Sequence, residues 1–280
     1  MILDEIAAET RERIAEKSKE IPLSEVRSEA ERMPSYGDFP FEKALSGGDI
    51  SFICEVKKAS PSKGIIAEDF PYLQIAKDYE SAGAAAISCL TEPFRFKGSD
   101  AYLREIAQNV KIPVLRKDFT ISEYMIYEAK IIGAEAILLI CSILSEQQLR
   151  EYLALAHSLG LSALVEAHDE AEIETAVKIG AKIIGVNNRD LKTFSVNTGN
   201  SAHLRGLVPP DRIFVSESGI QTAADVDGLR KIGANAALIG ETLMRAPDKK
   251  AKLNELRGLK WARMSRSAEC SENATSTMST

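Results

Sequence analysis

The stretch Ile132-Gly133-Ala134-Glu135-Ala136-Ile137-Leu138-Leu139-Ile140 joins the end of an amphipathic, charged segment to a run of apolar residues that favour a β-strand. Glycine is the residue that most readily adopts the left-handed conformation at the end of a helix. The short apolar run that follows it is typical of a strand buried on both faces. The stretch therefore predicts a helix-to-strand turn beside a sheet that helices cover.

The same unit recurs along the chain. A Gly-Ala pair also precedes the apolar runs that begin near residues 86, 183 and 236. With the remaining apolar runs, the sequence predicts eight strands that start near residues 51, 86, 113, 136, 162, 183, 213 and 236. Their spacing fits a strand plus one crossover helix, so the sheet is predicted to be parallel. Eight units favour an α/β fold of the (β/α)8 TIM barrel type over an open doubly wound sheet, although the count alone does not prove closure.

The segments before and after the strands differ in character. The first 48 residues carry a stripe at helical spacing, formed by Leu3, Ile6, Thr10 and Ile14. They are expected to form an extra N-terminal helical segment of one or two helices. The domain prediction is a helical extension at 1–48 packed on the barrel, a catalytic barrel at 49–259, and a polar tail at 260–280. The tail is too polar to build a core and is expected to be disordered.

Composition narrows the class of protein. A formal net charge of −6 and a pI near 5.4 disfavour binding to nucleic acid, which needs a basic face. Cysteines at 54, 89, 141 and 270 show no CxxC spacing, and the first three lie in apolar runs, which is typical of reduced core residues. The N-terminus lacks the features of a signal peptide, and no uncharged apolar run approaches the roughly 20 residues that cross a bilayer. We expect a cytoplasmic monomer or weak homo-oligomer without membrane or nucleic-acid partners.

Polar residues follow most of the predicted strands, and in a (β/α)8 barrel the active site lies at that end of the strands. Glu55 and Lys57 follow the first apolar run and, being two apart in a strand, project to one face where they can pair. The loop from Ser60 to Gly64, Ser-Pro-Ser-Lys-Gly, is rich in donors and suits an anionic ligand. An edge strand that runs out into a solvated loop would explain this segment equally well.

Two further charged residues end strands. Beside another buried lysine the pKa of Lys117 would be lowered, which would make its ammonium a better proton donor; alternatively it pairs with Asp118. Glu166 follows the apolar residues Leu164 and Val165, and a carboxylate in a half-apolar pocket is typical of a general base with a raised pKa; alternatively it supports the helix that starts near Asp169. Two lysines and two glutamates that converge on one barrel mouth favour catalysis.

The last two strands end in glycine. Ser218-Gly219 and Gly240-Glu241 occupy the position where barrels commonly bind phosphate through backbone N–H groups, although both could be ordinary turns. Asn187 and Arg189 follow the sixth strand and either bind substrate or satisfy the loop backbone; arginine matches anions bidentately. The predicted partner is therefore a small phosphorylated substrate.

Several other chemistries lack their signature. The three histidines form no HExxH pair, and His168 is expected to start a helix rather than to act as a catalyst. No strand is followed by Gly-x-Gly-x-x-Gly, and no Gly-x-Ser-x-Gly elbow is present. We expect neither a metal nor a cofactor.

Seven motifs, in order and spacing, make the chain closely resemble the indole-3-glycerol-phosphate synthase family. They are 55–64 (EVKKASPSKG), 90–99 (LTEPFRFKGS), 115–119 (LRKDF), 164–166 (LVE), 185–191 (GVNNRDL), 215–220 (VSESGI) and 238–245 (LIGETLMR). The likeness runs from the N-terminal helix to about Leu259. It implies a (β/α)8 barrel with an extra N-terminal helical segment. It also implies a carboxy-lyase that closes, decarboxylates and dehydrates 1-(2-carboxyphenylamino)-1-deoxyribulose 5-phosphate in tryptophan biosynthesis.

The resemblance also implies roles. Lys117 resembles the general acid that protonates the ribulose carbonyl, Lys57 the lysine that holds the departing carboxylate, Glu55 its ion-pair partner, and Glu166 the base or acid of ring closure and dehydration. Substrate contacts are implied for Ser60, Phe96, Asn187, Arg189, Glu217 and Ser218. Backbone N–H groups for the phosphate are implied for Gly219, Gly240 and Glu241. Some relatives carry serine in place of Glu241. A carboxylate that pointed at the phosphate would repel it, so the Glu241 side chain is expected to turn outward.

Two other functions remain open on the residues alone. A neighbouring phosphosugar barrel, such as phosphoribosylanthranilate isomerase, would need no lysine to hold a carboxylate, so Lys57 beside Glu55 favours the lyase. A phosphate-binding module without enzymatic activity would bind the ligand without turnover.

Overall fold

The computed structural model describes residues 2–35, 37–190 and 195–258. The polar tail predicted at 260–280, which includes Cys270, lies outside the described residues. Within them, Cys54, Cys89 and Cys141 are buried and free, as the sequence predicted.

Ten strands are described, and eight of them form a closed parallel barrel. The strands are β1 (Ser51–Val56), β2 (Ala59–Ser60), β3 (Gly64–Ile65), β4 (Ala86–Leu90), β5 (Val114–Lys117), β6 (Ala136–Ile140), β7 (Ser162–Ala167), β8 (Ile183–Asn187), β9 (Ile213–Glu217) and β10 (Ala236–Ile239). The barrel order is β1-β10-β9-β8-β7-β6-β5-β4, and β2 pairs with β3 in a small antiparallel hairpin. The predicted barrel is confirmed, and its strands begin at the predicted residues, except that β5 begins one residue later.

Helices alternate with the barrel strands along the chain. They are α1 (Ile2–Glu20), α2 (Leu23–Arg32), α3 (Pro40–Leu45), α4 (Tyr72–Ser81), α5 (Asp100–Asn109), α6 (Glu123–Ile131), α7 (Glu146–Ser158), α8 (Glu170–Lys178), α9 (Gly199–Leu204), α10 (Ala223–Lys231), α11 (Glu241–Met244) and α12 (Lys249–Leu256). Two 3-10 turns lie at Cys141–Ile143 and Arg205–Leu207. None of the helices in the described part of the chain is long and apolar enough to cross a membrane.

The predicted glycine turns close four of the helices. Gly83, Gly133, Gly180 and Gly233 all have φ between 70° and 89°, the left-handed region where a side chain would be strained. At Gly133 the following residue, Ala134, donates its backbone N–H to Ala129 O at 2.9 Å. This bond satisfies a carbonyl at the helix end and turns the chain into β6. The local sequence thus fixes where each strand enters the barrel.

The N-terminal helices pack on the barrel from outside its repeat. Helix α1 buries the predicted stripe of Leu3, Ile6, Thr10 and Ile14. Leu3 and Ile6 belong to the apolar cluster that fills the barrel interior, together with Ile53, Leu115, Leu138, Leu164 and Val215. A larger cluster lies between the strands and the outer helices. Helix α1 therefore covers the interior at the end of the barrel where the strands terminate.

Candidate active site

A cavity of about 1260 Å³ opens at the carboxyl ends of the barrel strands. All of the residues predicted for the site line it, namely Glu55, Lys57, Ser60, Phe96, Lys117, Glu166, Asn187, Arg189, Glu217, Ser218, Gly219, Gly240 and Glu241. Leu3 and Ile6 of α1 contribute an apolar wall. Residues far apart in the sequence thus meet at one mouth because parallel strands end at the same edge.

Glu55 and Lys57 form the predicted ion pair. The Lys57 ammonium contacts the Glu55 carboxylate, and both side chains are largely buried. Gly240, at the end of the neighbouring strand β10, packs directly against them: a Cβ atom there would overlap Glu55 Oε1 and would lie 2.9 Å from Lys57 Nζ. Glycine at this position is what allows the pair to sit between β1 and β10.

Lys117 faces two carboxylates from other strands. Its Nζ lies 3.5 Å from Glu166 Oε2 and 3.7 Å from Glu217 Oε2. Asn187 donates its side-chain N–H to Glu166 Oε1 at 3.3 Å. Asp118 is the alternative partner for Lys117, but both of its carboxylate oxygens lie 3.0 Å from Nη2 of Arg13 and accept hydrogen bonds from it. Lys117 is therefore directed into the cavity and not back to its neighbour.

The predicted lowering of the pKa of Lys117 is wrong. Burial disfavours its ammonium, but the negative charges of Glu166, Glu217 and Glu55 outweigh burial and raise the pKa. The prediction assumed that a second lysine would dominate. The barrel instead places three carboxylates around Lys117, so the ammonium holds its proton more firmly than a solvated lysine does.

The predicted raised pKa of Glu166 is also wrong. Burial raises it, but Lys117, His168 and the hydrogen bond from Asn187 more than compensate, and the pKa lies below its usual value. The raised carboxyl is Glu217, whose pKa rises to about 8 because it is buried and close to the negative charge of Glu166. The negative charge of each of these neighbouring buried carboxylates opposes ionisation of the other, and the pKa that rises is that of Glu217.

The segment after β9 forms a left-handed turn. Ser218 and Gly219 have φ of 67° and 81°, an unusual conformation for a serine. Asn188 holds this turn: its side-chain N–H donates to Ser218 O at 3.1 Å, while its Oδ1 accepts from the Ser201 N–H and hydroxyl at 3.0 and 2.9 Å. A Cβ atom on Gly219 would overlap Val196 and Thr198, so the position requires glycine. Consecutive exposed N–H groups in such a turn suit an anion.

The other lining residues complete the mouth. Ser60 lies in the β2–β3 hairpin, and Phe96 packs near Phe119 with ring centroids 6.1 Å apart. The Glu241 carboxylate accepts a hydrogen bond at 3.0 Å from Nε of Arg245, the residue that follows α11, so its charge is neutralised there. Within the described ranges, no three His, Cys, Asp or Glu side chains are grouped as metal ligands.

Three neighbours of the site were missed from the sequence. The sequence predicts a role for Asn187 but none for Asn188, predicts no site residue in the N-terminal segment that carries Arg13, and expects His168 only to start a helix. His168 does precede Asp169, the cap residue of α8, yet its Nε2 also lies 3.6 Å from Glu166 Oε1. The signal was available, because residues 166 and 168 are two apart at a strand end and share a face, as 55 and 57 do.

Fold and site together define a (β/α)8-barrel enzyme with acid and base groups at the carboxyl ends of its strands. Among solved structures the barrel is similar to 3-hexulose-6-phosphate synthase, with a TM-score of 0.60 at 15% identity over 75% of this chain and 99% of that one. It is also similar to the tryptophan synthase α-subunit of Pyrococcus furiosus, with a TM-score of 0.58 at 17% identity over 75% and 98%. Similarities at this level of identity concern the fold alone.

Sequence relationships are much closer. The family model "Indole-3-glycerol phosphate synthase" matches residues 3–256. Proteins of that name from Ruminiclostridium cellulolyticum and Endomicrobium trichonymphae are 59% and 55% identical, each over 92% of this chain and over 99% and 100% of their own length. The chain belongs to the indole-3-glycerol phosphate synthase family. It is a carboxy-lyase of tryptophan biosynthesis, as the motifs predicted.

Proposed function

We propose that Lys117, Glu166, Lys57 and Glu55 divide the acid–base work of indole-3-glycerol phosphate formation. The observation that supports this most is the position of Lys117 Nζ, which lies within 4 Å of both Glu166 and Glu217 in a cavity that also holds the Lys57–Glu55 pair. The substrate is 1-(2-carboxyphenylamino)-1-deoxyribulose 5-phosphate. Its ketone, aromatic carboxylate and phosphate each need a different partner.

Ring closure needs an acid. The ring carbon that bears the carboxylate attacks the ribulose carbonyl, and Lys117 gives a proton to the carbonyl oxygen as it becomes a hydroxyl. Three carboxylates hold that proton on the ammonium, so it is delivered only when negative charge develops on the oxygen. A positioned acid of this kind contributes about 10² to 10⁴ in rate.

Decarboxylation needs a positive group that binds the substrate carboxylate and then allows carbon dioxide to leave. Lys57 holds the substrate carboxylate until carbon dioxide leaves and its electrons restore the aromatic ring. Glu55 orients the Lys57 ammonium, and the close approach of Gly240 fixes both side chains.

Dehydration needs a base and an acid. Glu166, ionised and bonded to Asn187, accepts the proton lost as the indole forms, while the hydroxyl takes a proton from the Lys57 ammonium and leaves as water. With the carboxylate ionised, the whole reaction takes up one proton from solution, since carbon dioxide departs in place of a carboxylate. Glu217, which holds a proton near neutral pH, contacts the substrate beside Glu166.

The remaining lining residues bind the substrate. Backbone N–H groups of Gly219, Gly240 and Glu241 bind the phosphate, helped by the left-handed turn at Ser218. The other substrate contacts come from Ser60, Phe96, Asn187 and Arg189. We propose that the protein acts as a monomer or weak homo-oligomer. The buried free thiols support a reducing, cytoplasmic setting.

The roles are tested by following carbon dioxide release and indole absorbance in parallel. Lys117→Ala should slow both signals equally, because carbonyl protonation precedes both events. Glu166→Gln should slow indole formation and change the pH–rate profile. Wild-type rates in either folded variant would remove that residue from its role.

A further inference from the structure

The side chain of His168 lies beside Glu166, the proposed base. It follows β7 directly, and its Nε2 points to Glu166 Oε1 at 3.6 Å. This nitrogen is shielded from solvent and makes no hydrogen bond to any residue that the structure describes. An imidazole nitrogen that points at a buried carboxylate influences the ionisation of that carboxylate.

Helix α8 holds the imidazole in place. Glu172 Oε2 lies 3.2 Å from His168 Nδ1 and accepts the His168 backbone N–H at 2.7 Å. Glu172 is itself fixed, because its own N–H donates to the cap residue Asp169 at 2.9 Å. From α9, Asn200 donates to His168 O at 3.1 Å. Because Nδ1 is bound to Glu172, the orientation of the ring is fixed and Nε2 points toward Glu166.

The charges around the ring favour its protonated form. Three carboxylates face it, from Glu172 on α8, Glu166 on β7 and Glu217 on β9, while Lys117 lies on the far side of Glu166. Burial opposes the imidazolium, but these carboxylates outweigh burial and raise the pKa of His168. A cation thus approaches Glu166 from the α8 side, in addition to Lys117 from the β5 side.

We propose that His168, clamped by Glu172, is a positioning residue that keeps Glu166 as the ionised member of the Glu166–Glu217 pair and leaves the shared proton on Glu217. The inference rests on the proposed role of Glu166 as base. An ionised Glu166 can accept a proton from the closing ring, whereas a protonated one cannot. Glu217 then faces the same substrate as a hydrogen-bond donor.

The test compares His168→Gln and His168→Asn with the wild type across pH. Glutamine keeps a neutral donor near Glu166, and asparagine keeps a polar group near Glu172, but neither carries charge. Without the cation the pKa of Glu166 rises, so the acidic limb of the kcat/KM profile should move to higher pH by about one unit, with KM on the alkaline side changed less than about twofold. His203→Gln is the matched control, because His203 is exposed and pairs with Glu170 on the surface.

An acidic limb that stays in place in folded His168 variants overturns the inference. Glu172→Gln provides a second route, since a ring released from its clamp should shift the limb in the same direction. A nitrogen-15 NMR titration of the wild type is independent of activity: His168 should remain doubly protonated above the ordinary histidine pKa of about 6.5. Loss of its proton below that value contradicts the proposal.

Glu166→Gln distinguishes a failure of the proposed base from a failure of the proposed role of His168. If that variant keeps both activity and acidic limb, the proposed role of Glu166 fails. If it abolishes the limb while His168→Gln leaves it unmoved, only the role of His168 fails.

Discussion

The ammonium of Lys117 and the carboxylate of Glu166 face each other at 3.5 Å across the barrel mouth, from strands β5 and β7, which β6 separates. Acid and base of the proposed reaction therefore begin as an ion pair. Each stabilises the charged state of the other, which raises the pKa of Lys117 and lowers that of Glu166. A substrate carbonyl must enter between them, and the same charges then assist proton donation on one side and proton acceptance on the other.

Replacing Lys117 by alanine should reduce kcat by roughly 10² to 10⁴ while KM changes far less, because the proton is needed only as the carbonyl is attacked. The measurement is steady-state indole formation in a variant that a cooperative thermal melt shows to be folded. Lys111→Ala is the matched control, since Lys111 precedes the opposite end of the same strand and is exposed. A Lys117 variant with wild-type kcat would falsify the acid assignment.

Glu217 should make the fold less stable at alkaline pH. Its folded pKa of about 8 exceeds the unfolded value of 4.5, so the folded state binds more protons between those values. The free energy of unfolding therefore falls as pH rises from about 4.5 to about 8, and the loss is complete above that range. Glu217→Gln should remove this contribution, so the variant should have a higher Tm than the wild type at pH 9. At pH 4, where the Glu217 carboxyl is mostly protonated in both states, the variant should show no such gain in Tm.

Thermal melts across pH measure this difference. One kcal/mol would shift Tm by roughly 2–4 °C in a chain of this size. Activity should fall in the same variant, because the buried carboxyl that costs stability at alkaline pH is the one proposed to contact the substrate. Glu174→Gln, on the exposed face of α8, is the control and should show no pH-dependent gain. Parallel melting curves for Glu217→Gln and wild type would contradict the assignment of the shared proton.

The barrel could be predicted from the sequence because the signals that mark its helices and strands are local. Glycines such as Gly133 end helices through their own backbone conformation, and apolar runs such as 136–140 need no distant partner to be recognised. Placing polar residues at the strand ends followed from the closed barrel, and every predicted site residue does line the cavity.

The electrostatics could not be predicted in the same way. The pKa of Lys117 depends on Glu166 and Glu217, which are 49 and 100 positions away and whose distances are set only by barrel closure and register. The same holds for Arg13, whose partner Asp118 depends on how α1 docks. Signs of charge were visible in the sequence, but the pairing was not.

Arg13 should couple the N-terminal helix to the site. It contacts both oxygens of Asp118 at 3.0 Å, and the Asp118 side chain is fully buried. Arg13→Ala leaves that carboxylate with the Thr91 hydroxyl, the Phe119 backbone N–H and the more distant Arg116, so unfolding should become easier by roughly 2–3 kcal/mol. KM should also rise, because the apolar wall that α1 adds to the cavity loosens. Chemical denaturation and steady-state kinetics test both effects, and Lys19→Ala, in an exposed pair of the same helix, should resemble the wild type in both.

Gly240 should be required by the Lys57–Glu55 pair. Alanine there is opposed by contact, because the added Cβ would overlap Glu55 Oε1. The pair must move, and displacement of reacting groups by about 1 Å costs on the order of 10² in rate, so kcat/KM should fall by tenfold or more in Gly240→Ala. Gly228→Ala is the control, because Gly228 lies inside α10 with nothing near the new atom and should gain about 0.5–1 kcal/mol in unfolding free energy with unchanged kinetics. If Gly240→Ala keeps wild-type kcat/KM, the ion pair tolerates displacement, and its proposed part in holding the departing carboxylate is wrong.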